Sequence, residues 1–353
     1  MKTQTIILSG KNITMNPNIT HQLKFLSLYL MKKLVGLINK FTFVLLIPFL
    51  LFLLSISIAA DGNQQKNQDS SKEYVFISDT QGMLKAEYLW NITNNNQAVR
   101  QLLFSDIIEH NPRSVFHMGD LVTEGYHNPS WNTIDIFLDS LSEKEIPFYP
   151  VMGNHELIFM PVRGEKNFQK RFPQHSRTGY SVRVDSLAVV LLNSNFGNMS
   201  DEEISKQNSW YNDELDELDR DSSIQIIVVG THYSPYTNST RVAPSENVQQ
   251  YFVPGYLKSK KAKLFFTGHT HAFEHFILEG KDFLVIGGGG GPQQPLLVGD
   301  DARYLDNFNS EDKYRRFHYI SLIKETDGYL LNVIMIDSTY STLEEVYQLN
   351  LKN

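Results

Sequence analysis

Five short polar clusters hold most of the residues in this chain whose types and spacing could do chemistry. They are Asp79-Thr80-Gln81, Gly119-Asp120, Gly153-Asn154-His155-Glu156, Gly230-Thr231-His232 and Gly268-His269-Thr270-His271. Carboxylates, imidazoles and amides spread in this way are the donors that a pair of metal ions needs to hydrolyse a phosphate ester. That chemistry requires a carboxylate able to bridge both ions, separate ligands for each, and a group beside the leaving oxygen. Asp120 is the expected bridge, because its side chain is compact and its two oxygens can each face one ion, while Gly119 lets the backbone turn tightly next to it. Asp79 and the His269/His271 pair add further donors. Residues two apart in an extended segment point to the same side, so both imidazoles can face the metals, one on each ion. The carbonyl oxygen of Asn154 and the imidazole of His232 complete the second ion. His155 is then free to meet substrate, and an imidazole suits donating a hydrogen bond or proton to the leaving oxygen.

Such residues must be brought together by the elements that carry them. Each cluster follows a short apolar run that reads as a strand: Tyr74 to Ser78, Ser114 to Met118, Pro147 to Met152, Ile224 to Val229 and Lys263 to Thr267. In an open α/β sheet the loops at the carboxyl ends of strands meet on one edge, so five strand-end clusters can converge. Val99, Leu102, Leu103, Ile107 and Ile108 recur with helical spacing, and Trp131 to Glu145 carries Ile134, Phe137, Leu138 and Leu141 on one face. Ser181 to Val184 and Leu187 to Leu192 read as paired strands, and an acidic start at Ser200-Asp201-Glu202-Glu203 opens a helix running to about Arg220. Beyond the last cluster the pattern turns to consecutive strands: Ala272 to Leu278, Phe283 to Ile286, Phe317 to Lys324 and Tyr329 to Ile336. The expected fold is therefore α/β, a two-sheet β-sandwich flanked by helices over residues 73–340, with a C-terminal tail at 341–353. Met160 to Ser176 and Pro292 to Asn309 read as loops that shape the cleft.

The bulk properties narrow the partners. The chain has 353 residues, 41% of them hydrophobic, and no cysteine, which excludes disulfides, thiolate ligands and cysteine nucleophiles. Residues 1–60 hold six lysines and no acidic residue, leaving 26 basic against 39 acidic residues in the remainder. A folded part with a net charge of −13 is a poor match for extended nucleic acid, whose binders present basic surfaces. Phe41 to Ala59 is free of charge, follows Lys32, Lys33 and Lys40, and is close to the roughly 20 residues that span a bilayer. It reads as the apolar part (41–60) of a signal peptide cleaved near Ala59 or Ala60, or as a retained transmembrane anchor. Either way the acidic part is exported or membrane-anchored, on the non-cytoplasmic side. Residues 1–40 form a basic extension, in which Met31-Lys32-Lys33 is a better signal start than Met1, so 1–30 receive no role. Residues 61–72 are a polar linker.

At this level the ordered set Asp-x-Gln, Gly-Asp, Gly-Asn-His-Glu, His and Gly-His-x-His resembles the calcineurin-like metallophosphoesterase superfamily, over about Glu73 to Ile336. The resemblance implies a dinuclear site at the loop edge holding two divalent or Fe-type ions (Mn, Fe, Zn or Mg). It places Asp79, Gln81, Asp120 and His271 on one ion and Asp120, Asn154, His232 and His269 on the other. It gives His155 the catalytic role, with Glu156 orienting it and a metal-bridging hydroxide attacking phosphorus. The implied substrate is a small phosphate monoester; a diesterase acting on a small or lipid-linked ester, or a tethered binding module of the same fold, are the alternatives. Two departures stand out. Gln81 occupies a place usually held by histidine, and a neutral amide oxygen is a weaker ligand that favours a harder metal. The HTHAFEH stretch and His232-Tyr233-Ser234-Pro235-Tyr236 are similar to the purple acid phosphatase branch, yet Thr123 stands where that branch has a metal-binding tyrosine. Tyr233 and His275 are candidate substrate contacts, each with a plain structural alternative as a cleft wall or a solvent-facing side chain. His117 reads as a satisfied strand residue, and Gly287 to Gly291 as a close-packed loop near the metals.

Overall fold

The computed structural model describes residues 4–8, 11–15, 72–84, 96–309 and 311–352. The chain divides into two units, Met1–Asp69 and Ser70–Asn353. In the first, β1 (Gln4–Leu8) pairs antiparallel with β2 (Lys11–Met15), a hairpin where the sequence was assigned no structure. The hydrophobic run 41–59 and the linker up to residue 71 lie outside the described residues. Among the described residues no helix is long and apolar enough to cross a membrane.

The second unit is a sandwich of two six-stranded mixed sheets. In chain order its elements are β3 (Glu73–Ile77), α1 (Asn96–His110), β4 (Ser114–His117), α2 (Asn132–Glu143), β5 (Phe148–Pro150), α3 (Asn154–Leu157), α4 (Pro161–Arg171), β6 (Tyr180–Val184), β7 (Leu187–Leu191) and α5 (Asp201–Arg220). They continue with β8 (Ile226–Gly230), α6 (Glu246–Tyr251), α7 (Val253–Lys258), β9 (Ala262–Thr267), β10 (Phe273–Leu278), β11 (Lys281–Ile286), β12 (His318–Glu325), β13 (Gly328–Ile336) and β14 (Leu343–Lys352). One sheet has the order β10-β11-β9-β8-β7-β6 and the other β14-β13-β12-β3-β4-β5.

The alternation of side chains along each strand builds the layers. Tyr74 and Phe76, Leu187, Val189 and Leu191, Leu264 and Phe266, and Ile320 and Leu322 fill the space between the sheets. Their neighbours Val75, Ile77 and Val115 pack outward on Leu103 and Ile107 of α1 and Phe137 and Leu141 of α2. On the opposite face Val190, Ile227, Val229 and Phe265 pack on Tyr211 and Leu215 of α5 and Tyr256 of α7. Strands covered on both faces read as continuous apolar runs, which is the pattern seen in the sequence.

Two expectations are corrected. Residues 341–353 are not a tail: β14 pairs antiparallel with β13 over nearly its whole length and forms a sheet edge. Its pattern escapes notice because an edge strand buries little besides Leu351. The Met160 to Ser176 stretch is not all loop, since Pro161–Arg171 is helical, with Pro161 in the first turn, where its missing N–H costs nothing.

Parallel registers bring the strand ends level. Ile77 pairs with His117 and His117 with Pro150 in one sheet, while Leu191 pairs with Gly230 and Gly230 with Phe266 in the other. The five polar clusters therefore leave the sandwich at the same edge.

Candidate metal centre

The clusters are laced together by their own backbones. The Asp79 amide donates to the Gly119 carbonyl and the Gln81 amide to the Asp120 carbonyl, both at 3.1 Å. The glycine run packs behind this pair of loops: Gly289 donates to Ser78 (2.8 Å) and Gly291 to Asp79 (2.7 Å). A Cβ at Gly289 would lie 2.3 Å from the Ser78 carbonyl oxygen, so the run serves close backbone approach, as its composition predicted. Asp79, Asp120 and His269 all hold positive φ, at 59°, 57° and 65°. Such conformations cost non-glycine residues free energy and persist where the surroundings over-determine them, typically at functional sites.

Asp120 lies at the centre. Its carboxylate belongs to two groups of donors whose atoms lie within 4.8 Å of one another: Asp120, His232 and His269, and Asp79, Asp120 and His271. Three imidazoles are aimed in the same way. His232 Nδ1 donates to the Met118 carbonyl (2.8 Å), His271 Nδ1 to Pro292 (2.6 Å) and His155 Nδ1 to Thr123 (2.7 Å). A carbonyl on Nδ1 fixes ring and tautomer and leaves Nε2 for the site. His232 Nε2 lies 3.1 Å from Asn154 Oδ1 and 3.3 Å from Asp120 Oδ2. His271 Nε2 lies 3.3 Å from Asp79 Oδ1, and His155 Nε2 is 3.9 Å from Asp120 Oδ2.

Gln81 joins the second group. With its amide turned so that each contact runs from donor to acceptor, Nε2 donates to the Asp79 and Asp120 carbonyls (3.2 and 3.1 Å) and Oε1 meets His271 Nε2 at 3.0 Å. Two backbone anchors thus present an oxygen, rather than a nitrogen, to the site.

Electrostatics match a cation site. Burial opposes charge on Asp120, but His232 and His155 prevail and hold its carboxyl well below the usual carboxylate range. Burial likewise opposes a proton on His232, yet Asp120 raises it to about 9, and Asp79 raises His271 against the same penalty. Protons on these rings take the part of cations beside buried carboxylates. Burial and His232 push His269 down to about 3, so its ring is neutral and keeps a lone pair to donate. Carboxylate, imidazole and amide-oxygen donors together suit Mn, Fe, Zn or Mg. Each of the two groups can therefore hold a metal ion.

Not every expected role survives. Glu156 is buried and its hydrogen bonds go to backbone: it accepts from Gly153 (2.7 Å), Asp120 (2.9 Å), Leu121 (2.9 Å) and Val122 (3.3 Å). It shapes the Asp120 loop, and the Thr123 carbonyl, not Glu156, orients His155. His275 is no substrate contact. It is buried, with Nε2 2.8 Å from Asp282 Oδ1 and Nδ1 2.9 Å from the Tyr347 hydroxyl, and it ties the edge strand β10 of one sheet to β14 of the other. Tyr233 does border the site, its ring edge-on to His269 with centroids 4.4 Å apart. His117 is satisfied as expected, 3.0 Å from Thr80 Oγ1 and accepting from the Gly119 amide. Sequence reading passed over Asn195, whose Nδ2 donates to the Met152 carbonyl (2.9 Å) and steadies the Gly153-Asn154 turn. It also passed over the carbonyls of Met118, Thr123 and Pro292, which carry no residue-type signal.

Comparison with known proteins agrees with this geometry. Two Arabidopsis thaliana proteins, probable purple acid phosphatase 20 and purple acid phosphatase 22, are each 27% identical to it, over 172 and 171 residues. The matched stretches cover 45% of this chain but only 39% and 38% of theirs. The structure of purple acid phosphatase PPD1 from yellow lupin (Lupinus luteus) seeds superposes with a TM-score of 0.58 at 16% identity, covering 78% of this chain and 53% of that one. GAP50, the anchor in the inner membrane complex of Plasmodium, superposes with a TM-score of 0.56 at 14% identity, covering 79% and 88%. At these identities the two structures establish the shared fold. The model of the family described as calcineurin-like phosphoesterase matches residues 73–273, more than half of the sequence and all five clusters, and the chain belongs to that family.

Proposed function

We propose that the Ser70–Asn353 unit is a two-metal phosphohydrolase acting on small phosphate monoesters. The observation that carries this reading is the sharing of Asp120 between both donor groups. Asp79, Gln81, Asp120 and His271 would hold one ion and Asp120, Asn154, His232 and His269 the other. When bound, such ions lower the pKa of water, orient the ester and neutralise charge on the transferring phosphoryl group. This chain's own residues do the rest. His155, its Nδ1 committed to Thr123, turns Nε2 toward the cleft and can pass a proton or hydrogen bond to the leaving oxygen. Tyr233 walls the same cleft, and burial followed by Asp120 pushes its phenol up to about 12, so it stays a donor at neutral pH. Glu156, through four backbone amides, keeps Asp120 in its left-handed conformation. Thr123 provides no phenolate, so a purple ferric-tyrosinate colour is not expected. The apolar run 41–59 targets the unit to the non-cytoplasmic side of a membrane, as a cleaved signal or a retained anchor.

The test is hydrolysis of a chromogenic monoester and a matching diester by the Ser70–Asn353 unit, metal-free and with Mn²⁺, Fe²⁺, Zn²⁺ or Mg²⁺. Metal-dependent monoester turnover is expected. His155→Ala should lose turnover by about 10²-fold or more with metals retained, and Asp120→Asn should lose metals as well. Diester preference would shift the substrate class. Two bound metals with silence on both esters would favour the non-catalytic module, and parental activity in either variant would refute the assignment.

A further inference from the structure

Immediately beyond the His155-Glu156 turn the chain exposes three apolar side chains. Phe159 is 69% exposed, Met160 47% and Val162 83%. Phe159 also holds φ at 61°, which for a bulky aromatic residue is a strained conformation that calls for a reason. The knuckle is held firmly. The Met160 amide donates to Ile158 (2.7 Å), and the Gly164 amide to Met160 (2.9 Å). Gly164 and Gly125 both press on the Glu156 carbonyl: an added Cβ would lie 1.8 and 2.1 Å from its oxygen. The Phe159 ring meets Tyr126 edge-on with centroids 6.3 Å apart.

The helix that follows is basic in a unit that is acidic. Pro161–Arg171 carries Arg163, Lys166, Lys170 and Arg171 against Glu165 alone. Arg171 is engaged with Asp135 and Glu165 with Arg177. Arg163, Lys166 and Lys170 remain exposed. An aromatic and aliphatic apex behind which lysine and arginine stand is the arrangement that enters the interface of an anionic bilayer, apolar groups among the acyl chains and cations at the headgroups. A second copy of the chain fits less well. Three side chains fall far short of the roughly 800 Å² per partner of a stable interface, and the basic collars would repel one another.

We propose that the Phe159–Val162 knuckle, with Arg163, Lys166 and Lys170, is a docking surface for anionic phospholipid bilayers. Docking there brings the rim beside His155 to the headgroup layer, so esters at a lipid surface reach the cleft. That last consequence rests on the proposed activity; the docking itself does not.

The unit Ser70–Asn353 encloses its own apolar clusters and can be prepared without the 41–59 run. It should be co-sedimented with phosphatidylcholine vesicles and with vesicles containing about one-third phosphatidylserine, at low and at physiological salt. Binding to the anionic vesicles, weakened by salt, is expected. F159S/M160S/V162S should lower it more than about tenfold, and K166Q/K170Q roughly thirtyfold, at ~1 kcal/mol for each lysine. All five positions are exposed, so melting temperatures of the variants should stay near the parent's, and the lysine variant serves if the triple variant fails to fold. No binding to anionic vesicles, or equal binding by the variants, overturns the proposal. A concentration-dependent dimer abolished by the triple substitution would instead give the patch to a second copy. Vesicle binding needs no turnover, so its failure and the failure of the catalytic reading are separate results.

Discussion

Gly153→Ala tests whether the Asp120 carboxylate is held by contact alone. Gly153 has φ −94° and ψ −171°, an extended conformation open to alanine, so no backbone strain enters the comparison. What alanine lacks is room. Its Cβ would lie 2.1 Å from Asp120 Oδ1 and 2.4 Å from the Asp120 amide nitrogen, where ordinary contact begins at 3.4 Å. One of the two loops must retreat by roughly 1 Å, and overpacking of this kind costs about 1–3 kcal/mol. For a unit of this size that lowers the melting temperature by roughly 2–5 °C. Ligand geometry tolerates only about 0.2 Å, and the Gly153 amide's bond to Glu156 moves with the loop, so metal affinity should fall about 10–100-fold. Gly197→Ala is the control, because an added Cβ there meets nothing within 4 Å. Melting curves and metal titrations on both variants decide the matter. Parental stability and metal binding in Gly153→Ala would refute the reasoning.

Two further outcomes follow from buried groups away from the candidate metal ligands. Burial pushes both His175 and His318 down to about 4, against an ordinary value of 6.5. Their folded pKa values are depressed, so the unfolded chain binds protons more readily between about pH 6.5 and 4. Stability is therefore full above pH 6.5 and declines as pH falls through that window, by about 3 kcal/mol for each histidine. Urea melts at a series of pH values should show this decline, and His175→Phe should flatten it; an unchanged slope would count against the assignment. His275→Ala should cost about 1–3 kcal/mol by leaving Asp282 and Tyr347 without their partner, while Michaelis parameters on a soluble ester stay at parental values. A selective rise in KM would return His275 to the substrate site.

Much of the architecture was legible because local physics wrote it. Strands buried on both faces must be apolar throughout, so β3, β7, β8 and β9 stood out as runs, and the acidic start Ser200-Asp201-Glu202-Glu203 marked the beginning of α5, where the structure closes a capping box between Ser200 and Glu203. Elements with weaker local demands were missed. In β14 the sequence of an edge strand alternates poorly. In α4, Pro161 and Gly164 look like loop residues, although the proline only opens the helix and the glycine makes room for the Glu156 carbonyl.

The site divides along the same line. Sequence by itself offered the candidate donors, their order and their attachment to strand ends, because metal chemistry demands particular side-chain types and turns beside sheets demand glycine. It determined neither which acidic residue is structural nor which histidine is spare. Glu156 and His155 are chain neighbours, yet one is sealed behind backbone amides and the other sets Nε2 3.9 Å from Asp120 Oδ2. His271 and His275 lie four residues apart, yet one is aimed at Asp79 and the other latches two sheets. Only the tertiary structure decided these roles, because they depend on carbonyls and amides from distant loops. Those groups are the same in every residue, and only folding brings them within hydrogen-bonding distance.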